Sequence, residues 1–255
     1  MRVRRRQLVR GGLLVGGWAL SGWPFLSASG GGVKIVAVTD DLDLVADDES
    51  RMRLAHVEFV RRKEADGTWL PVDKGLKNWL ATRLVGLEPG EGVRFDRSGR
   101  RLIDPRIEEE KPISAELIAS GRAIFRPDLG EATDPDALLQ EEERARQARF
   151  GIWRDGGAGP FVHDKASDLI GHYGLVTGRI LHSAETRYYV YANFGKRWKE
   201  DFTLRVPSHE VKSLVRDGLD LIALEGRVVR ARGWVFEENG PMIQIAHRHA
   251  VEVIG

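Results

Sequence analysis

The chain has 255 residues, of which 42% are hydrophobic and 30% are charged, and this composition excludes a disordered chain and a wholly membrane-embedded one. It contains no cysteine, which excludes disulfides, thiolate metal sites and cysteine nucleophiles. The formal net charge of +1 becomes about −4 without residues 1–30, which hold five arginines and no acid. No chain-wide positive field attracts nucleic acid, so phosphate binding requires a local site.

Residues 1–30 have the composition of a secretory leader. Arginines crowd positions 2–10, residues 11–26 carry no charge, and small residues follow at 27–30. The uncharged run is short for a membrane span. Residues 5–10, Arg-Arg-Gln-Leu-Val-Arg, also resemble a twin-arginine export signal. We therefore expect an exported protein, periplasmic or secreted, whose mature chain has no integral membrane span; the alternative is an uncleaved N-terminal anchor.

The first half of the mature chain mixes strands and helices. Extended apolar runs predict strands over 33–38, 42–46, 51–57, 93–95 and 101–103. The first helix begins near Asp73, has an apolar stripe from Leu76 to Leu84 and ends at Gly86. A short helix is predicted over 112–120.

A longer helix is predicted to begin at Asp134-Pro135, because Asp is a favoured N-cap residue and Pro is tolerated in the first turn. Gly151 ends it. The spacing of Glu142 and Arg146 predicts an ion pair on its surface. We interpret the acidic run 141–143 as a solvent-exposed face.

A Gly-rich segment, residues 156–160, is typical of a linker, and the predicted domains are therefore 31–155 and 161–255. The second domain contains strand-like runs over 175–181, 188–193, 202–206, 227–236 and, with a break, 242–254. A helix is predicted after the third run, at Pro207-Ser208. This order is typical of a small OB-like barrel.

Two features of the second half have open interpretations. Tyr188, Tyr189 and Tyr191 lie close to Lys196 in the sequence, so these aromatic rings either stack nucleobases or belong to the core. The pair His247 and His249 lacks the further ligands at defined spacing that a zinc site needs, and we expect strand-end or loop histidines.

Three motifs of the first half follow one another in the order known from one family. Residues 53–58, Arg-Leu-Ala-His-Val-Glu, resemble a strand ending in Arg-Leu-x-x-(Ile/Val)-Asp. Residues 96–100, Asp-Arg-Ser-Gly-Arg, resemble a loop of sequence Asp-Arg-Tyr-Gly-Arg. The charged segment 141–153 ends in Gly-Ile-Trp, as the last helix of that family ends in Gly-Leu/Ile-Trp. Residues 33–154 thus resemble the staphylococcal nuclease, or thermonuclease, family.

This resemblance implies an α+β, mainly β fold: a nuclease-like OB barrel with helices, followed here by the second OB-like barrel. It implies calcium-dependent hydrolysis of phosphodiester bonds in DNA or RNA. Guanidinium groups and a hard cation stabilise the charge that develops on the phosphoryl oxygens. Protein partners are not implied.

The resemblance also assigns roles to residues. Arg53 and Arg100 correspond to the two arginines that clamp the phosphate, and Glu58 corresponds to a calcium-binding Asp. The other calcium ligand lies in an Asp-Gly-Asp-Thr turn of the family, for which Asp41 is the first choice here and Asp43 the second.

The family's water-activating Glu is replaced by Arg61, and Glu64, which is nearby in the sequence, is the alternative acid for that role. This replacement supports the rival hypothesis of a catalytically impaired nuclease-like protein. Such a protein would serve as a nucleic-acid-binding, phosphate-binding or scaffold module.

Overall fold

The structure is a computed structural model that describes residues 32–63, 66–90, 94–107, 111–154, 159–197 and 199–255. The predicted leader, Glu64 and residues 155–158 lie outside these ranges. The described part is a mixed α+β protein that is mainly β, as predicted. No helix in that part is long and apolar enough to cross a membrane.

The first half builds a small sheet with helices packed against it. Its strands are β1 (Ile35–Val38), β2 (Leu44–Ala46), β3 (Arg51–Leu54), β4 (Val57–Glu58), β5 (Arg61–Lys63), β6 (Trp69–Pro71), β7 (Arg101–Ile103) and β8 (Ile124–Phe125). Its helices are α1 (Leu76–Leu84), α2 (Ile113–Ala119) and α3 (Pro135–Gln147).

The sheet has the order β1-β2-β3-β7, in which β3 and β7 are parallel and the other pairs antiparallel. Helix α1 buries Leu76, Leu80 and Leu84, which lie four residues apart on one face, against the core beneath the sheet. The predicted start of α3 is confirmed, because the Asp134 side chain accepts a hydrogen bond of 3.0 Å from the backbone N–H of Ala137.

The predicted continuous strand over 51–57 is wrong. β3 ends at Leu54, His56 adopts a left-handed φ of 62°, and β4 then pairs with β8 instead of β7. The backbone N–H of His56 donates to the carbonyl of Leu129, which holds this bend. The bend carries the chain from one sheet to the next, and it decides where Glu58 lies relative to Arg53.

The second half is dominated by one sheet of eight strands. They are β9 (Phe161–Val162), β10 (Tyr173–Arg179), β11 (His182–Glu185), β12 (Tyr189–Asn193), β13 (Thr203–Pro207), β14 (Val228–Glu237), β15 (Pro241–Gln244) and β16 (Val251–Val253). Helix α4 (Ser208–Arg216) follows β13, where a helix was predicted. The predicted break in the last strand run is confirmed by the gap between β15 and β16, whereas β11 was not predicted.

The hydrogen-bonded order of this sheet is β11-β12-β13-β15-β14-β10-β9, and β16 also pairs with β14. β13 and β15 are parallel. No sheet of the described residues closes into a ring. Only Ile180 and Leu181 separate β10 from β11, so strands near opposite ends of the sheet order follow each other directly in the chain.

The two halves contact each other through a set of ion pairs that we call the α3–β14 network. Its members are Glu142, Glu143, Arg230, Arg232 and Glu252. The guanidinium of Arg232 donates to both carboxylate oxygens of Glu142, at 3.0 and 2.8 Å, and to the carbonyl of Phe125 at 3.0 Å. The side chains of Arg232 and Glu142 are 0% and 1% exposed.

The predicted surface pair of Glu142 and Arg146 is therefore wrong. Glu142 points into the contact between the halves, and Arg146 pairs with Glu143 instead. A mixed apolar cluster lies at the same contact and includes Ile124 and Trp153 from the first half and Tyr173 and Leu175 from the second. Residues 33–255 group as one compact unit. The division into domains 31–155 and 161–255 stays a prediction.

Candidate functional site

The candidate site begins with the alternation of β3. Met52 and Leu54 are fully buried in the core of the first half, because alternate side chains of a strand point to opposite faces. Arg51 and Arg53 therefore lie on the other face of the sheet. There the side chain of Arg53 remains only 15% exposed, because other parts of the chain cover it.

The register of three strands brings predicted site residues together. Met52 of β3 pairs with Leu44 of β2 on one side and with Arg101 of β7 on the other. Asp43, Arg53 and Arg100 each lie next to one member of this row in the chain. Asp43 and Arg100, separated by 57 positions, are thus in contact, and Arg53 lies on the same face on the other side of the row from Arg100.

Arg100 is held by two carboxylates. Its guanidinium donates to Asp43 at 2.7 Å and to Asp96 at 2.6 and 2.8 Å. Asp96 also accepts from the backbone N–H groups of Ser98 and Arg100, which fixes the turn that Gly99 completes with a φ of 74°. Burial lowers the pKa of Arg100, but the bonds and charges of Asp96 and Asp43 outweigh it and raise the pKa overall.

Arg53 belongs to a second chain of ion pairs. Its guanidinium donates to Glu58 at 2.7 Å, and the guanidinium of Arg126 donates to the same Glu58 oxygen at 2.5 Å. Arg126 in turn makes two bonds of 3.1 Å with Asp128. Burial lowers the pKa of Arg126, but hydrogen bonds and charges of Asp128 and Glu58 raise it overall, so this group stays charged.

We call these groups together the site network. Its members are Asp43, Arg53, Glu58, Asp96, Arg100, Arg126 and Asp128. Three guanidiniums face four carboxylates, and Arg51 also approaches Asp43 at 3.8 Å, so positive charge does not exceed negative charge here. An anionic ligand must therefore displace carboxylates from the arginines in order to bind them.

The two alternatives for the first metal ligand lie in different places. Asp41 is 80% exposed and its carboxylate contacts Arg61 at 3.3 Å, whereas Asp43 is 7% exposed and contacts Arg100. Leu42 between them has a left-handed φ of 66° although glycine favours that conformation. This conformation turns the two neighbouring carboxylates to different environments, and only Asp43 enters the site network.

The donor set does not fit a preformed calcium site. Calcium takes six to eight oxygen ligands, usually several carboxylates. Among the described residues no group of three or more Asp, Glu, His or Cys side chains can hold a metal ion. The available carboxylates, Asp43 and Glu58, are each bonded to arginine. Arg61, at the position of the expected acid, supplies no oxygen ligand and pairs with Asp41.

Sequence analysis missed Arg126 and Asp128. Arg126 directly follows the apolar strand β8, but it belongs to none of the motifs that pointed to Arg53 and Arg100. The second half also reaches this residue. The guanidinium carbon of Arg126 lies 5.1 Å from the ring centre of Tyr173 and 5.7 Å from that of Trp234. These rings restrict where Arg126 can move.

Comparisons with known proteins do not add a family name to this geometry. The sequence matches no protein-family model and no curated protein.

Proposed function

We propose that residues 33–154 adopt the thermonuclease-like barrel with helices, and that residues 161–255 form an OB-like barrel. The second part of this proposal is supported by the connectivity: β13 is parallel to β15, and α4 lies between β13 and β14. It is also supported by the direct succession of β10 and β11, which lie near opposite ends of the sheet order. A bend of the chain between these two strands lets the sheet curl on itself, as in a barrel. The first part rests on the ordered motifs.

We further propose that the protein is exported and that it binds phosphodiesters of DNA or RNA at Arg53 and Arg100, with little or no hydrolysis. The observation that carries the proposal is the strand register, which puts Arg53 and Arg100 on one face of the sheet, each bonded to a carboxylate, Glu58 and Asp43 respectively. Guanidinium groups can make paired hydrogen bonds to a phosphate, and two of them can hold its oxygens from two sides.

Binding requires an exchange of partners. Arg53 now bonds Glu58, and Arg100 now bonds Asp43 and Asp96, so a phosphate competes with these carboxylates. Glu58 keeps Arg126 as a partner when Arg53 turns to a ligand. Glu58 thus keeps a cation as a partner during the exchange, and this keeps the free-energy cost of releasing Arg53 moderate.

The position of Arg61 argues against efficient hydrolysis. General-base activation of the attacking water contributes about 10²–10⁴ in rate, and a guanidinium cannot supply it. Calcium-dependent hydrolysis of DNA or RNA remains the second candidate. It is favoured by the hard oxygen groups of Asp43 and Glu58, which lie directly beside the two arginines.

The substitution Glu58→Gln separates the two candidates. In a binding protein it removes a carboxylate that competes for Arg53. We expect it to tighten binding of a nucleoside bisphosphate, measured calorimetrically in EDTA, by about fivefold or more. One charge about 4 Å away is worth about 1 kcal/mol even in water. In a calcium-dependent nuclease the same substitution should instead abolish cleavage of labelled single-stranded DNA and RNA in calcium.

The controls use the same assays. Arg144→Ala removes an arginine on the exposed face of α3 that pairs with Glu141, and it should leave binding unchanged. Arg61→Glu restores the acid of the family, and a rise in calcium-dependent cleavage of tenfold or more would favour the nuclease. Absence of bisphosphate binding with and without calcium would reject both candidates and leave a likeness in fold alone.

The proposal of export rests on residues 1–30. A fusion of residues 1–32 to a reporter that is active only outside the cytoplasm should be active. Replacement of Arg5 and Arg6 by Lys should block it if the twin-arginine route is used, and cytoplasmic retention of the unaltered fusion would contradict export.

A further inference from the structure

The outward face of the second sheet carries the tyrosines whose role the sequence left open. Along β12, Val190 and Ala192 are buried in the core, whereas Tyr189, Tyr191 and Asn193 point to the other face. The alternation of the strand thus excludes Tyr189 and Tyr191 from the core.

Neighbouring strands extend this face into two rows of paired residues. One row is formed by His182, Asn193, Thr203 and Met242, and the other by Ala184, Tyr191, Arg205 and Gln244. The hydroxyl of Thr203 donates to the side-chain carbonyl of Asn193 at 3.0 Å. The side-chain amide N–H of Asn193 in turn donates to the carbonyl of His182 at 3.5 Å, so this side chain connects β11 and β13 across the face.

A cavity of about 750 Å³ lies on this face and is bounded on one side by the β14–β15 turn at Glu238 and Asn239. Tyr191, Asn193 and Lys196 contribute to its walls. Such a volume is typical of small-molecule sites and admits a nucleotide. Leu181 and Met242 add apolar surface to the wall. The cavity therefore combines apolar side chains and the flat ring of Tyr191 with polar groups.

The aromatic groups are held in place. The rings of Tyr189 and Tyr191 lie 5.7 Å apart, and the guanidinium of Arg205 lies 4.6 Å from the ring centre of Tyr189. Arg205 is itself fixed by bonds to Gln244 at 3.1 Å and to Glu238 at 2.7 Å. A ring that is ordered before binding loses little conformational entropy when a ligand stacks on it.

The charges favour an anionic polymer over a neutral one. Arg205 neutralises Glu238, the acid that lines the cavity, and Lys196 is exposed at the cavity wall. A base can stack on Tyr191 while the adjacent phosphate contacts Lys196. Proteins that bind single strands combine such aromatic platforms with cations along the backbone path.

We propose that the outward face of β11, β12, β13 and β15 is a binding site for single-stranded nucleic acid, in which Tyr191 stacks a base and Lys196 contacts a phosphate. This site is separate from the arginine site and does not depend on it.

The test measures binding of fluorescent dT12 without terminal phosphates to the full chain in EDTA, by fluorescence anisotropy. Tyr191→Ala should weaken binding by roughly 5- to 150-fold, the range for loss of one stacked base. Tyr191→Phe keeps the ring and should stay within about threefold of the unaltered protein. Lys196→Ala should lower the slope of log affinity against log salt by roughly 0.7, the value for one phosphate contact of a single strand.

The matched control is Tyr188→Ala, which removes a tyrosine of the same run that is 65% exposed and does not line the cavity. It should leave dT12 binding unchanged. The double variant Arg53→Ala/Arg100→Ala should keep the Tyr191-dependent binding. If that double variant abolishes binding while Tyr191→Ala has no effect, the proposal for this face is wrong and the arginine site is supported. Binding of chitohexaose without binding of dT12 would also overturn it, in favour of a carbohydrate site.

Discussion

Two arginine–carboxylate networks among the residues that the structure describes differ in their access to solvent. In the α3–β14 network the pair of Arg232 and Glu142 is sealed between the two halves, whereas Arg53, Glu58 and Arg100 of the site network are partly exposed. In the first network one guanidinium donates two bonds to one carboxylate, and in the second two guanidiniums share one carboxylate. The difference teaches that the same chemistry stabilises a contact where it is sealed and can exchange partners for a ligand where it is open.

Within the part of the chain that the structure describes, Glu142 of the sealed network has one cation as a partner, Arg232. Glu142 accepts two bonds from Arg232 and also one from the backbone N–H of Phe125 at 2.5 Å. A buried ion pair is costly to desolvate, and its net contribution to stability is small compared with the cost of removing one member. In the site network Glu58 has two arginines, so the loss of one leaves a partner.

The largest expected effect is on stability. Arg232→Ala should lower the free energy of unfolding by about 3–5 kcal/mol, because it leaves Glu142 charged and buried without its partner. Urea unfolding of the full chain measures the effect. The control is Arg248→Ala, which breaks a more exposed pair with Asp136 and should cost less than about 1 kcal/mol.

The double variant Arg232→Met/Glu142→Leu sharpens this comparison. Since both charges are removed together, the double variant should recover much of the stability that Arg232→Ala loses. A loss of less than 1 kcal/mol in Arg232→Ala would show that the two halves do not depend on this pair.

The sequence predicted the sealed network poorly, and the reason is physical. Helix periodicity reports neighbours three or four residues away, so it paired Glu142 with Arg146. The true partner, Arg232, lies 90 residues away on a strand of the other half. In contrast, the start of α3 depends on a local cap at Asp134, and local patterns predicted it correctly.

The second prediction concerns ligand affinity. Arg53→Ala and Arg100→Ala should each weaken binding of a nucleoside bisphosphate by about 1.5–3 kcal/mol, the contribution of hydrogen bonds to a charged group. Each should affect stability less than Arg232→Ala does, because the remaining carboxylates keep a cation nearby. Calorimetric titration and urea unfolding of the same preparations separate the two effects.

Two further variants test whether both arginines hold one phosphate. The double variant should lose less than the sum of the single losses, since ligands of one group are coupled. Replacement of either arginine by Lys should weaken bisphosphate binding nearly as much as replacement by Ala, because Lys lacks the planar guanidinium that donates two parallel hydrogen bonds. Additive losses, or full rescue by Lys, would mean that the two arginines act at separate places.

Part of the site network could be predicted from the sequence and part could not. Arg53 and Arg100 stand at the ends of short apolar runs within recognisable motifs, and the motif spacing placed Glu58 near Arg53. Arg126 belongs to no such motif and reaches Glu58 from 68 positions away. The choice between Asp41 and Asp43 depended on the left-handed backbone of Leu42, which no propensity of leucine indicates.

The smallest expected effect is a pH dependence at the partly exposed edge of the α3–β14 network. Glu143 bonds Arg146, Gln147 and Arg230. Burial raises its pKa, but these bonds and the charge of Arg230 outweigh it and lower the pKa to about 2. Its folded-state pKa is thus below its ordinary value of 4.5, and its ionised form is the one that stabilises the fold.

The contribution of Glu143 should therefore be fully present above about pH 4.5 and should be lost as the pH falls toward 2. Glu143→Gln has no such titration. We expect its stability deficit relative to the unaltered protein to stay constant between pH 5 and 7, as urea unfolding reports, and to shrink between pH 4.5 and the lowest pH at which the fold persists. Glu141→Gln is the matched control on the same helix, because Glu141 is half-buried like Glu143 but pairs with an exposed arginine, Arg144. A stability deficit that does not change with pH would show that Glu143 contributes by packing and not by charge. The edge of this network would then stabilise the fold by a different interaction from its sealed centre, where the charges of Arg232 and Glu142 are paired.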